Sequence, residues 1–397
     1  MTMKVRALMV AIVMLAEMWL VGCGHYTCGT TFGASSCTPS GGGVSQGGGN
    51  ANSIITLGYF VDFTINTTTP GMALQRLDSG ANTFISIVNF VAPTLPDFPT
   101  GIVIVNKSMM YVPSSDGKLF AYTIDLSTGN LTSLGTPYTV AGGDSIVASA
   151  SANLLFVGDT AGQRISVFTV NSDGTLIPVT GSPFPTSGVS PRVMTTDGKS
   201  KFLYATEGTG SGQMAAFSIA SSGALTAVTG SPFSSNMATI AGETTGNFII
   251  GITRQSSDNH VYVFRIDTSG LLTQVGTPAV TAGTPFNLSV HPNGKWVYAL
   301  NRSDVLGGIE PVEGFALDSS SGSLTQLGGS PYTSLLADGG PIEPSGHFMF
   351  GLGQLTNGIS AVTPYTIDQT TGDLSSSIQS EGFPGIDAAA YAVTNVQ

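Results

Sequence analysis

A segment running from Val167 to Glu207, VFTVNSDGTLIPVTGSPFPTSGVSPRVMTTDGKSKFLYATE, returns in weaker copies along most of the chain. AFSIASSGALTAVTGSPF (Ala216 to Phe233) is one copy, and GFALDSSSGSLTQLGGSPY (Gly314 to Tyr332) is another. A recurring unit that cannot bury its apolar faces alone must stack on its neighbours, so the repeat dictates the architecture. An aromatic residue marks the copies at Tyr122, Phe168, Phe217, Phe264, Phe315 and Tyr365, at steps of 46 to 51 residues. Leu74, in the degenerate copy MALQRLD, precedes Tyr122 by a similar step and makes a seventh.

Each copy reads as four short strands. In one, FNLSV (Phe286 to Val290) is followed by the turn His291-Pro292-Asn293-Gly294 and then by KWVYALN (Lys295 to Asn301). After a loop come PVEGFALD (Pro311 to Asp318) and SLTQLG (Ser323 to Gly328), with Gly329-Ser330-Pro331-Tyr332 crossing to the next copy. Apolar residues alternate or run unbroken through these segments, as in sheets stacked face to face. DG, NG and SG pairs supply the positive φ that tight hairpins need. Charged residues make up only 9% of the chain while Gly numbers 52, a balance that suits strands and turns better than solvated helices. Four strands in a period of this size are the signature of propeller blades.

The two chain ends complete each other. GIDAAAYAVTNVQ (Gly385 to Gln397) reads as an innermost strand without its partner, and SIITLGYFVDF (Ser53 to Phe63) as a second strand without its first. The expected fold is therefore all-β: a seven-bladed propeller over residues 53–397, four antiparallel strands per blade, with N- and C-terminal strands sharing one blade.

Lys4 and Arg6 precede an apolar run from Ala7 to Leu20, which reads as an export signal. The run is short for a membrane span and carries Glu17. Leu20-Val21-Gly22-Cys23 resembles the bacterial lipobox, which implies a signal peptide over 1–22 and lipidation of Cys23. Gly24 rather than Asp follows, which favours the outer membrane where the cell has one. Residues 23–52 then hold the lipidated Cys and a Gly/Ser tether, TPSGGGVSQGGGNANS, in front of the folded body. Cys28 and Cys37 are placed to close one disulfide loop. The net charge of −11 and pI near 4.6 argue against a nucleic-acid partner, since phosphate binding needs a basic face.

The repeats resemble those of the seven-bladed lactonase family, which includes the propeller-type bacterial 6-phosphogluconolactonases and the fungal carboxy-muconate lactonising enzyme. The pattern G-x-L-T-x-x-x-G-S-P-F carries the resemblance, and Tyr204-Ala205-Thr206 and Tyr298-Ala299-Leu300-Asn301 are also similar to YVTN-type surface repeats. The resemblance implies substrate contacts at Arg192 in Ser190-Pro191-Arg192, at Arg302 in Asn301-Arg302, and at Asp159 in FVGD, with Glu207 after KFLYAT as the catalytic group. Arg offers bidentate donors to a carboxylate or phosphate, and Glu can activate water. Where the family has a His-rich run, this chain has Gly142-Gly143-Asp144-Ser145, and Val193 stands where a His follows Arg192. Of the four His, His25 lies in the tether, His291 and His347 lie at turns of the opposite end, and His260 starts a third strand near Asp258.

No G-x-S-x-G elbow, P-loop, H-E-x-x-H or C-x-x-C is present, so no cofactor and no metal site is expected. Three roles stay open: a membrane-anchored binder of a ligand or envelope partner, an active lactonase on an anionic sugar-acid lactone, and a structural or adhesion module of the cell envelope.

Overall fold

A computed structural model describes residues 54–396 except 63–71, 88–89, 91–92, 96–97, 152, 210–211, 302–309, 336–338, 355–359, 377, 379–380 and 384–387. Cys23, Cys28, Cys37 and Arg302 therefore lie outside the described residues. The described part belongs to one unit, Asn50–Gln397, built from strands joined into seven antiparallel sheets. Strands within a blade are lettered a to d from the inside outwards.

Blade 1 pairs Ala388–Asn395 (a) with Ile55–Asp62 (b), then Met72–Asp78 (c) and Thr83–Ser86 (d). Blades 2 to 6 open with a strands Val103–Val105, Ser145–Ala148, Val193–Thr196, Thr239–Gly242 and Pro285–Val290, each followed along the chain by its own b, c and d. In blade 7 the innermost segment, Gly339-Gly340-Pro341-Ile342, makes only isolated bridges from Gly339 to Leu352 and from Ile342 to Met349. Proline lacks the N–H that a continuous ladder needs. The chain ends meet as the sequence predicts: Thr56 pairs with Asn395 and Tyr59 with Ala392.

Strand b is the buried spine of each blade. Leu154–Asp159, Phe202–Thr206, Phe248–Ile252 and Trp296–Asn301 are buried at every position. Both faces of such a strand meet a neighbouring sheet, which is why these segments read as unbroken apolar runs rather than as alternation. Seven apolar clusters fill the seams between adjacent blades. Leu203 and Ala205 pack on Phe156 and Val167 of blade 3, while Tyr204 faces Ile249 of blade 5. Phe350 of blade 7 packs on Phe60 and Tyr391 of blade 1, so the seam that joins the ends is built like the other six. Equivalent seams all round mean a closed ring, a seven-bladed β-propeller.

A second tie repeats between blades. The Tyr59 hydroxyl donates to the carbonyl of Gly129, Tyr111 to Gly174, Tyr204 to Gly270 and Tyr298 to Gly372, at 2.7–2.9 Å. Each bond runs from strand b of one blade to the c–d hairpin of the next. Burial pushes these phenols well above the ordinary tyrosine range.

The Gly-Ser-Pro motif does not cross to the next blade. Strand d pairs with strand c over Leu176–Pro178, breaks at Gly181-Ser182-Pro183, and resumes as Phe184–Pro185 on the same partner. The Ser182 hydroxyl accepts from the N–H of Val167, which the break leaves without a ladder acceptor. Ser231 serves Ala216 and Ser330 serves Gly314 in the same way. The residue after each Pro thus stays on the outer edge of its own blade, and the crossing comes later.

Candidate functional site

In this topology strand a begins, and strand b ends, at one end of the ring. Of the sequence-predicted residues, Asp159, Arg192 and Glu207 sit at that end. In blade 4, Val193 pairs with Thr206, which sets Arg192 and Glu207 just beyond a matched pair of strand ends. The Arg192 N–H donates to the Thr206 carbonyl at 3.0 Å. Its exposed side chain lies along Gly208, where a Cβ would come within 3.0 Å of Arg192 Cδ. Gly208 has φ +72°, so glycine is favoured there on two counts. The half-buried Glu207 carboxylate turns to Gly212, whose missing Cβ leaves its space. Neither the Arg192 guanidinium nor the Glu207 carboxylate has a hydrogen-bond or ion-pair partner among the described residues, and no ion pair joins them.

The seam to blade 3 fixes this rim. Ser190 Oγ donates to the Thr160 carbonyl at 3.0 Å and Ser145 Oγ to the Pro191 carbonyl at 2.5 Å. Asp144 accepts both the N–H and the hydroxyl of Thr160, each at 2.7 Å. Asp159, in the same loop, is buried and committed: Oδ1 accepts from Gly162 N at 2.7 Å and Oδ2 from Arg164 Nε at 2.8 Å. It shapes the loop beside Pro191 while Arg192 and Glu207 stay unpaired.

Two groups at this end are visible only in three dimensions. Arg254, with φ +58°, ends strand b of blade 5 and donates from Nε to the Phe286 carbonyl at 2.6 Å. Its guanidinium carbon stands 4.2 Å over the Phe286 ring. Phe286 is the extra residue of a bulge between Pro285 and Asn287, which swings its ring and carbonyl toward blade 5. By register Thr253 holds the place of Glu207 and Arg254 that of Gly208, so the strand-end pattern does not announce this arginine. The second group is Asp258 with His260. His260 Nδ1 lies 2.8 Å from Asp258 Oδ1, while Asp258 Oδ2 accepts from Thr253 Oγ1 at 2.9 Å and Tyr262 OH at 3.0 Å. Partial burial alone would raise the Asp258 carboxyl, but hydrogen bonds from His260, Thr253 and Tyr262 outweigh it and hold the group below the usual range.

In blade 6, Asn301 Nδ2 donates to the Pro311 carbonyl at 2.8 Å, and Glu313 accepts from the Ala282 N–H. Asn301 Oδ1 and Glu313 Oε2 are buried without a partner. At the other end of the ring, His291 is a turn residue, as its HPNG setting predicts. Asn293 N–H donates to Nδ1 at 3.1 Å, and Nε2 donates to the Gly346 carbonyl at 2.7 Å. His347 sits in the equivalent turn of blade 7, with Nδ1 3.0 Å from Ser345 Oγ. Among the described residues no group of three His, Cys, Asp or Glu could hold a metal ion, and no helix is long and apolar enough to cross a membrane.

Comparison with known proteins places this geometry. The family described as lactonase, 7-bladed beta-propeller, matches residues 228–334. No protein of the curated set matches the chain. Among solved structures, a candidate 6-phosphogluconolactonase from Bacteroides uniformis superposes with a TM-score of 0.65 at 20% identity, covering 86% of this chain and 99% of that one. A similar candidate from Bacteroides fragilis gives 0.66 at 18%, covering 86% and 98%. The periplasmic gluconolactonase of Pseudomonas aeruginosa gives 0.62 at 18%, covering 86% and 99%. The fold of the whole ring is a seven-bladed β-propeller, and its residues 228–334 are similar to the lactonase, 7-bladed beta-propeller family.

Proposed function

We propose that the protein is exported and lipid-anchored through Cys23, and that the Arg192–Glu207 end of its ring binds an anionic sugar acid and opens the corresponding lactone with water. One observation carries this reading. An exposed, unpartnered guanidinium stands at the mouth of an innermost strand, beside an unpartnered carboxylate one loop away. Surface arginines with nothing to bind usually lie against a carboxylate or a carbonyl, as Arg164 and Arg254 do here. Arg192 instead keeps its donor fork open, in the geometry that carboxylate or phosphate recognition uses. Glu207 then activates the attacking water, and Arg302, assigned from the sequence resemblance alone, adds a second cation for the anion. The solved relatives named for gluconolactone chemistry support the substrate class.

The test is a panel of phosphorylated and plain sugar-acid lactones at neutral pH, with wild type, Arg192→Ala and Glu207→Gln. Arg192→Ala is expected to raise KM selectively for the charged lactones, and Glu207→Gln to lower kcat by about 10²-fold. Wild type that turns over nothing, yet is stabilised against heat by free sugar acids, reduces the reading to a binding protein. No turnover and no stabilisation leaves the envelope adhesion role. Loss of radiolabelled palmitate incorporation in Cys23→Ser tests the anchor.

A further inference from the structure

A continuous run of hydrogen bonds crosses this end of the ring from blade 4 to blade 5. Arg192 N–H donates to Thr206 O, Thr206 Oγ1 to Ala238 O at 3.2 Å, and Ala238 N–H to Ile252 O at 2.8 Å. The next residue, Thr253, donates through Oγ1 to Asp258, and Asp258 faces His260. The Asp258–His260 pair therefore belongs to the same rim as Arg192 and Glu207, one blade on. His260 and Tyr262 alternate with Val261 along strand c. Val261 packs in the seam to blade 6, whereas Tyr262 packs in the seam to blade 4, so the imidazole leans toward the blade that carries Glu207.

The pair is built rather than incidental. Asp258 has both oxygens committed, and Thr253, one of the donors, is itself buried. A carboxylate on Nδ1 fixes the ring orientation and leaves Nε2 as the working atom. Nε2 has no partner among the described residues. The imidazole side chain is 38% exposed, and Val280, opposite it in the ladder, is 62% exposed, so strand d does not cover it. The charged group that faces His260 is Asp258, with the Tyr262 phenol beside it. Arg254, in the same loop, is turned to Phe286.

We propose that His260, positioned by Asp258, is the general acid of the lactone-opening site. This rests on the lactone reading above and adds the half of the chemistry that Glu207 leaves undone. Water attacks the lactone carbonyl carbon and gives its proton to Glu207. The ring C–O bond then breaks, its electron pair stays on the ring oxygen, and that oxygen takes the proton from His260 Nε2. Glu207 returns its proton to solvent and the imidazole regains one. The sum is one lactone and one water converted to one hydroxy acid, which then ionises.

A leaving-group contrast tests it. Gluconolactone expels a basic alkoxide that needs an acid, whereas dihydrocoumarin expels a phenolate that needs one far less. His260→Gln is expected to lose about 10²-fold or more in kcat on gluconolactone and less than about tenfold on dihydrocoumarin, while Glu207→Gln loses similarly on both. The ratio of the two substrates is independent of how much enzyme is folded. Asp258→Asn, which keeps the imidazole and removes the carboxylate that orients it, is expected to show the same substrate contrast as His260→Gln in milder form. Equal losses on both substrates overturn the assignment while leaving the lactone reading in place. A wild type inactive on both substrates overturns both.

Discussion

Glu313 is a carboxylate with half its hydrogen bonds. It sits on strand c of blade 6, opposite Ala299 and diagonal to Asn301, in the seam to blade 5. One oxygen accepts from Ala282, and the other is buried and orphaned, as is Asn301 Oδ1. Burial pushes its carboxyl upward, against the weaker pull of Ala282 and Asn301. A raised folded-state value means the folded chain holds this proton more tightly than the unfolded chain does. Stability from this group is therefore fully present below the ordinary Glu range and is lost as pH rises through the folded value. In Glu313→Gln, Oε1 keeps the Ala282 contact and the new N–H₂ can serve Asn301 Oδ1. The variant is expected to be more stable than wild type at pH 8 by about 1–3 kcal/mol in urea unfolding, with the difference gone near pH 4. A variant less stable at both pH values would mean that the charge is satisfied in wild type. None of this is legible in PVEGFALD. The segment reads as a strand, but which polar side chain a seam will trap depends on the neighbouring blade.

At the scale of the strand, the repeat made the architecture readable because strand b must be apolar on both faces and every c–d hairpin needs a positive-φ residue. Gly129, Gly174, Gly223, Gly270, Gly322 and Gly372 all have φ between +79° and +91°. The inter-blade tyrosine tie was hidden in the same pattern, since the aromatic of strand b looks like core until its hydroxyl is seen on the next hairpin. Removing that hydroxyl leaves a buried carbonyl without its donor. Tyr204→Phe and Tyr298→Phe are each expected to cost about 1 kcal/mol, and to add in the double variant because the ties lie in different seams. Phe156 holds the same strand position in blade 3, and the hairpin glycine it faces on blade 4 is Gly223. Phe156→Tyr should recover up to about 1 kcal/mol if its hydroxyl reaches that carbonyl, as judged from thermal unfolding. The outer strand was misread for a physical reason as well. Gly-Ser-Pro carries the composition of a crossing loop, but the Ser hydroxyl stands in for the missing backbone acceptor and lets strand d resume on its own blade.

For the molecule as a whole, closure was legible because both termini read as fragments of one blade, and site residues were legible only where they repeat a strand-end position. Arg192 and Glu207 follow from that register, whereas the Arg254–Phe286 contact needs a bulge that no local pattern announces. Closure itself converges on Asn395. Its Oδ1 accepts from Thr56 Oγ1 at 3.1 Å on strand b, and its Nδ2 donates to Glu343 of blade 7 at 2.6 Å. Val396 N–H donates to the Ile55 carbonyl at 2.9 Å, so the two ends of the folded ring touch. If the ring is held by this shared blade, deleting 388–397 bares Ile55–Asp62 as a long apolar edge and opens the seam of Phe60, Phe350 and Tyr391. The truncated protein is expected to lose cooperative unfolding and to be cut readily by protease. Joining residue 396 to residue 54 and opening the chain instead at Gly135, an exposed turn with nothing within 4 Å of a Cβ, should preserve the fold, since blade 2 then shares both ends. A truncated chain that melts as sharply and as high as the intact one would show that the seams alone hold the toroid, with covalent closure adding nothing.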